Sequence, residues 1–281
     1  MKLGQIRNAG GVVAAVFEGS SARPIPGHDM LALIHRAAAE GVSLPALATK
    51  LAAQPLESFH PAVPIHPPEV WGCGCTYEAS SAFRDAEHGT REGMYAFVYC
   101  EARPEIFFKG TARVCVGPGE PIGIRCDSHF TAPEPELAVV VGAGREILAY
   151  TLANDVSAWD IERENALYLP QSKVFDGCCA LGPVLVTADS VADPYQLEIA
   201  CTVTRQGKTL FAGSTSTARL HRKLETLVEF LTRANSVPAG TVVLTGTGII
   251  VTQDAALASG DVVSIHAEPI GELSNPAVRV G

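Results

Sequence analysis

Pro133-Glu134-Pro135-Glu136-Leu137-Ala138-Val139-Val140-Val141 sets two acids ahead of five apolar residues. The apolar run reads as a buried β-strand. Residues i and i+2 of a strand share a face, so Glu134 and Glu136 place two carboxylates side by side at its mouth. Two such anions repel unless one is protonated or a cation lies between them. Paired hard oxygen ligands suit Mg²⁺, with Mn²⁺ or Ca²⁺ as alternatives. An exposed strand start decorated with acids would read the same way from this segment alone.

Outward from this strand, the chain divides at His60-Pro61-Ala62-Val63-Pro64-Ile65-His66-Pro67-Pro68. Four prolines in nine residues forbid helix and central strand there. Residues 1–65 read as a small N-terminal α/β module and residues 66–281 as the main domain. In the first part, residues 12–17 are β-branched and apolar, as a strand would be. Asp29 is placed to cap a helix over residues 30–39. Ser43, with Pro45 in the first turn, is placed to cap a second helix reaching residue 53.

The second part reads mostly as β-structure. Residues 195–204 alternate, with Leu197, Ile199, Cys201 and Val203 on one face. Gln206-Gly207 then offers a hairpin turn into residues 209–212. Residues 241–244 and 262–266 are further strands. One helix is clear from the spacing of Leu224, Leu227, Val228 and Leu231. The expected class is α+β, with a β-rich, mixed-sheet main domain.

Composition narrows the function. The 281 residues are 47% hydrophobic and 18% charged, enough for a packed core. A net charge of −9 and no long basic run argue against nucleic acid and anionic membrane as partners. A small anionic substrate stays open, because a bound cation can reverse the local field. Eight cysteines in so long a chain read as free thiols in a reducing cytoplasm. Cys73-Gly-Cys75 is too closely spaced for a usual zinc knuckle. No apolar segment follows Met1-Lys2-Leu3-Gly4-Gln5 as in a signal peptide, and no apolar run is long enough to span a bilayer. The expectation is a soluble, cytoplasmic protein.

Other residues stand out for their chemistry. Asp155, in Asn154-Asp155-Val156, sits among apolar neighbours where an unpaired carboxylate is costly. It reads as a third metal ligand or as a turn aspartate. Lys173, in Leu169-Pro170-Gln171-Ser172-Lys173-Val174-Phe175, is either a buried lysine that needs a partner or a surface lysine with a packed stem. Arg103-Pro104-Glu105-Ile106-Phe107-Phe108-Lys109 puts Glu105 and Lys109 around an aromatic pair, which an ordinary surface ion pair would also do. Leu244-Thr245-Gly246-Thr247-Gly248 is a small-residue break that offers N–H groups and hydroxyls to an anion.

Taken in order, these segments resemble the fumarylacetoacetate hydrolase superfamily. The resemblance rests on the E-x-E strand, Tyr150-Thr151-Leu152-Ala153-Asn154-Asp155-Val156-Ser157-Ala158, Lys173, the later Leu181-Gly182-Pro183 and Thr245-Gly246-Thr247. It runs from about Trp71 to the end of the sequence. It implies a mixed β roll, a metal (Mg²⁺ first) held by Glu134, Glu136 and Asp155, a 2-oxo acid substrate, and a homodimer or homotetramer. Gly74-Cys75-Thr76-Tyr77-Glu78, the Arg103–Lys109 segment and Leu167-Tyr168-Leu169-Pro170-Gln171-Ser172-Lys173 are similar to those of the dehydratases of 2-keto-3-deoxy sugar acids within it. That similarity implies Glu105 and Lys173 as catalytic residues. It also implies Tyr77, Glu78, Arg84, Gln171 and Thr247 as substrate contacts.

Hydrolase members typically carry an Asn-Tyr-x-x-His segment whose histidine activates water. Here the stretch is Thr76-Tyr77-Glu78-Ala79-Ser80, without one, and His88 beyond it reads as a surface residue. The family usually has Arg where this chain has Trp159, and Asn-Pro-Leu-Tyr where it has Asn165-Ala166-Leu167-Tyr168. The expected activity is a metal-dependent hydro-lyase. Alternatives are hydrolysis of a 2,4-dioxo acid, decarboxylation of a 2-oxo acid, or an inactive metal-stabilised binding protein.

Overall fold

The apolar run after Glu134 forms the strand Pro135–Val141, buried at every residue. A computed structural model describes residues 1–8, 10–87 and 93–281, with backbone alone at 84–87. In it this strand lies inside the larger of two principal sheets. The order across that sheet is Ser21–Ile25, Gly11–Glu18, Lys2–Asn8, Cys179–Thr187, Ile147–Asp155, Pro135–Val141, Val242–Leu244, Val70–Gly74 and Glu105–Gly110. Most neighbours are antiparallel, while Val242–Leu244 and Val70–Gly74 run parallel, so the sheet is mixed. The second sheet runs Lys208–Ser216, Glu198–Arg205, Val262–Ala267, Gly271–Val280 and Ile122–Arg125.

The two sheets share one core. Leu137 and Val139 of the first belong to the same apolar cluster as Ile199 and Ile265 of the second. The alternation read from residues 195–204 explains this packing: Ile199, Cys201 and Val203 are buried, and their intervening neighbours less so. Gln206 and Gly207 both have positive φ, the backbone of a tight hairpin turn, and join this strand to Lys208–Ser216. The helix Leu224–Thr232 buries Leu224, Leu227, Val228 and Leu231 as its spacing requires. Burying each such side chain contributes about 1.5–3 kcal/mol before entropy is subtracted. This architecture is the α+β fold that the pattern implied.

The N-terminal strand and two capped helices form as read, with Lys2–Asn8 and Ser21–Ile25 as further strands. Asp29 accepts a hydrogen bond from Ala32 N at 2.7 Å and starts the helix Met30–Glu40. Ser43 accepts one from Ala46 N at 3.3 Å and starts Leu44–Leu51. Lys2 and Leu3 pair with Val186 and Leu185, so the N-terminal strands continue the large sheet. Leu3, Met30 and Leu33 lie in the same core cluster as Leu137. Between the parts, His60 and Pro61 pair with Arg7 and Ile6, and the proline-rich segment stays extended. The helices Glu78–Glu87, Met94–Cys100, Trp159–Glu164 and Leu169–Lys173 were not anticipated. Each spans at most ten residues, too short for a 3.6-residue period to show clearly.

Candidate active site

Pro135 faces Asn154 across the strand pair, so Glu134 and Asp155 lie at adjoining strand ends. Asp155 N donates to Glu134 O at 2.9 Å, and Glu134 N to Asn154 Oδ1 at 3.0 Å. Glu136 shares the face of Glu134. One carboxylate oxygen from each of Glu134, Glu136 and Asp155 lies within 4.8 Å of the others, and all three residues are buried. The segment is therefore not an exposed strand start. Burial, then the neighbouring Asp155 and Glu134, hold the Glu136 carboxyl well above the usual carboxylate range. Gly246 N donates to its Oε2 at 2.6 Å. Gly246 has φ of +90°, and a Cβ there would lie 2.0 Å from Thr76 Oγ1, so the turn that aims this N–H needs glycine.

Two buried lysines face the acids. Lys173 Nζ donates to Glu134 Oε2 and Asp155 Oδ2 at 3.0 Å each and to Ser157 Oγ at 2.6 Å, with Glu162 Oε2 at 3.8 Å. Lys109 Nζ lies 2.5 Å from Asp155 Oδ1 and donates to Val156 O at 2.9 Å. Burial pushes Asp155 up, but Lys109 and Lys173 outweigh it and hold the carboxyl below the usual value. Burial likewise pulls the Lys109 ammonium down, and Asp155 reverses this. Lys109 is thus no surface ion pair. Its strand is separated from that of Asp155 by three others in the sheet order. In a flat sheet four spacings of about 4.8 Å would exceed a lysine's reach. The sheet curls into a roll, and the ion pair spans its interior.

Glu105 lies on the face of its strand that also carries Phe107 and Lys109. It is paired with Gly74, where a Cβ would come within 2.0 Å of Glu105 Oε2. The missing side chain is the space the carboxylate occupies. Cys75 Sγ contacts the same oxygen at 3.4 Å. Gly74, Cys75, Phe107, Glu134, Asp155 and Lys173 line one small cavity, with Thr247 also at its wall. Glu105 and Glu162 open onto a second, larger cavity of about 430 Å³ lined by Met94, Tyr95, Phe97 and Leu169. Glu105 thus stands between a charged interior and an apolar vestibule.

Of the residues read as substrate contacts, Tyr77 and Thr247 are buried beside this centre. The Tyr77 hydroxyl has no hydrogen-bond partner among the described residues, and burial, then Glu136, push its pKa up. Glu78 and Gln171 have exposed side chains and are not drawn into the cluster. The Arg84 side chain and His88 lie outside the described residues. Features not anticipated are the burial of Lys109 and the Trp159 N–H donated to Glu134 Oε1 at 2.8 Å; the Gly246 N–H does meet an anion, the Glu136 carboxylate. Lys109 had a signal: it follows Glu105 and Phe107 at strand period.

An all-oxygen, buried, mutually repelling donor set fits a hard divalent cation. Residues 95–278 match the fumarylacetoacetate hydrolase C-terminal domain. The chain belongs to the fumarylacetoacetate hydrolase family. Within that family it is 47% identical over 219 residues to a 2-dehydro-3-deoxy-D-arabinonate dehydratase of Saccharolobus solfataricus, covering 77% of this chain and 74% of that one. It is 45% identical over 221 residues to a probable 2-keto-3-deoxyxylonate dehydratase of Haloferax volcanii, covering 79% and 76%. A solved structure of 2-keto-3-deoxy-D-arabinonate dehydratase, complexed with magnesium and 2,5-dioxopentanoate, is similar with a TM-score of 0.85 and 38% identity. That likeness covers 100% of this chain and 99% of the other. The fumarylacetoacetate hydrolase fold is therefore shared over the whole length, the N-terminal strands included.

Proposed function

We propose that this chain is a magnesium-dependent hydro-lyase that dehydrates a 2-keto-3-deoxy sugar acid. The observation that carries the reading is the placement of a carboxylate, Glu105, and an ammonium, Lys173, around a buried trio of metal-type ligands. Glu134, Glu136 and Asp155 would hold the ion. When bound, magnesium supplies Lewis-acid stabilisation for charge on the substrate's 2-oxo and carboxylate oxygens.

The chain's own groups move the protons. Glu105 takes a proton from C3, and Lys173 gives one to the hydroxyl leaving C4, so water departs. Loss of a C5 proton and return of a proton to C3 then convert the 2-oxo-3-ene to the C4–C5 enol; a proton gained at C4 and the C5 hydroxyl proton lost turn that enol, for a five-carbon acid, into 2,5-dioxopentanoate. Each positioned acid or base contributes about 10²–10⁴-fold. Tyr77 and Thr247 are the substrate contacts best placed beside the trio, and the vestibule admits the sugar chain. No histidine lines either cavity among the described residues, which favours this lyase chemistry over water activation by a hydrolase.

In this reading the chain works as a homodimer or homotetramer, as its family resemblance implies, and the exposed side chains of Phe97 and Leu167 are available to a subunit contact. Residues 1–65 act as a packing and subunit-contact module. Eight free cysteines fit a reducing cytoplasm, and no described helix is long and apolar enough to cross a membrane. The test is NMR of products from a panel of 2-keto-3-deoxy acids, 2,4-dioxo acids and simple 2-oxo acids with magnesium. Dehydration of the first group alone is expected; cleavage of 2,4-dioxo acids or release of CO₂ would overturn the lyase assignment.

A further inference from the structure

We infer that Trp159 is a positioning residue for the metal site, fixing Glu134 through its indole N–H. The inference rests on the reading of Glu134, Glu136 and Asp155 as metal ligands. Trp159 Nε1 donates to Glu134 Oε1 at 2.8 Å, and Lys173 Nζ donates to the other oxygen at 3.0 Å. The carboxylate is therefore gripped at both oxygens, by a neutral donor on one side and a cation on the other. Indole N–H donates only, does not titrate near neutral pH and cannot ligate a cation, so it orients Glu134 without competing for the ion.

The ring itself is held. Trp159 is 4% exposed and packs with Phe130, Ala132, Val251 and Ala255. Its ring centroid lies 5.3 Å from Phe83 and 6.0 Å from Phe130. Its backbone N donates to Phe130 O at 2.8 Å, and the preceding Ser157–Ala158 pairs with Thr131–Ala132. The indole direction is thus set by packing before any ion arrives.

The charge consequence is distinctive. Among the described residues, the three proposed ligand carboxylates face two buried ammonium groups, those of Lys109 and Lys173. An arginine at residue 159 would bring a further permanent cation beside Glu134. The tryptophan keeps a donor there without that charge, leaving a more negative field for a divalent cation. Groups that orient metal ligands typically affect metal affinity by about 10–100-fold when removed.

The experiment uses the full chain freed of metal. Magnesium affinity is measured by calorimetry for wild type, Trp159→Phe and Trp159→Arg. Phe keeps most of the ring packing and deletes the N–H, so a loss of about tenfold or more in affinity is expected, with Arg weakening binding as well. Indole ¹⁵N–¹H spectra of wild type give an independent readout that needs no variant in the site. The chain has two tryptophans, and Trp71, whose indole donates to Glu69, is the internal control. With assignment by Trp71→Phe, the Trp159 resonance should move with magnesium saturation and the Trp71 resonance should not. If wild type binds magnesium while the Trp159 resonance stays still, or Trp159→Phe binds within twofold of wild type, the inference is overturned and the metal reading stands. If wild type binds no magnesium, both fall.

Discussion

Lys109 and Asp155 form a fully buried ion pair, 2.5 Å from Nζ to Oδ1, that joins two strands with three others between them in the sheet order. The pair closes the roll and steadies a proposed metal ligand at once. Removing one member of such a pair leaves an uncompensated buried charge. Lys109→Met should cost about 3–5 kcal/mol of stability, read from urea unfolding. A midpoint within about 0.5 kcal/mol of wild type would show that the pair carries no such weight.

Lys173→Ala and Glu105→Gln separate catalysis from folding. Each should lower the dehydration rate by at least about 100-fold, some 2.7 kcal/mol in the barrier. Glu105→Gln should leave the thermal midpoint and magnesium affinity close to wild type, since Glu105 is not a proposed ligand. Wild-type turnover in either variant would remove that residue's assigned role.

Gly74→Ala probes the room made for Glu105. The added methyl would sit 2.0 Å from Glu105 Oε2. The carboxylate ends a flexible side chain and can swing aside, so stability should change little. Its displacement by an ångström or more should reduce kcat by up to about 10²-fold. Steady-state kinetics beside a melting curve distinguish this from general damage; unchanged kcat would mean Glu105 need not hold its present position.

Chelation tests the metal directly. Thorough treatment with EDTA should abolish activity, and magnesium should restore it. Magnesium at 100 times its Kd should also stabilise the folded chain by about 2.7 kcal/mol. A melting curve indifferent to magnesium, with activity surviving chelation, would remove the metal from the mechanism.

Asp261 gives a pH-dependent contribution to the second sheet. Arg205 Nε and Nη2 reach its two oxygens at 2.8 and 2.9 Å, and Ala258 N donates to it at 2.8 Å. Burial pushes the carboxyl up, but these donors hold it below its usual 3.8. Because the folded value is the lower one, the stabilisation is complete above about pH 3.8 and is lost as pH falls through the folded value. Asp261→Asn should therefore melt below wild type at neutral pH, and the gap should close in acid. A gap independent of pH would assign the effect to packing.

Much of this centre was legible because strand geometry is local. Glu134 and Glu136 share a face by a period of two, and the apolar run behind them marks a buried strand. Asp155 and Lys173 stood out as charges in apolar company, and each is buried against the other. The rest depends on distances a sequence does not state. Nothing in Lys109 reveals a strand that curls back across the roll, although its spacing from Glu105 placed it on the same face. Trp159 read only as a missing cation, because the direction of its N–H is set by Phe83 and Phe130 from other segments. Gly246 read as part of a loop offering N–H groups to an anion, but that the anion is Glu136 depends on its left-handed backbone. The helix Leu169–Lys173 is five residues long, too short to carry a period.

The strand Lys2–Asn8 has one further consequence. It lies against Cys179–Thr187, whose other end pairs Cys179 with Asp155. Trimming the chain to residues 95–278 would strip that neighbour away and bare the backbone N–H and C=O groups of Leu185 and Val186, two buried apolar residues at the end of the strand. Bared strand groups are a template for pairing with another chain. The opening strands therefore serve as a selvedge: they finish the weave at the end of the strand that begins beside Asp155.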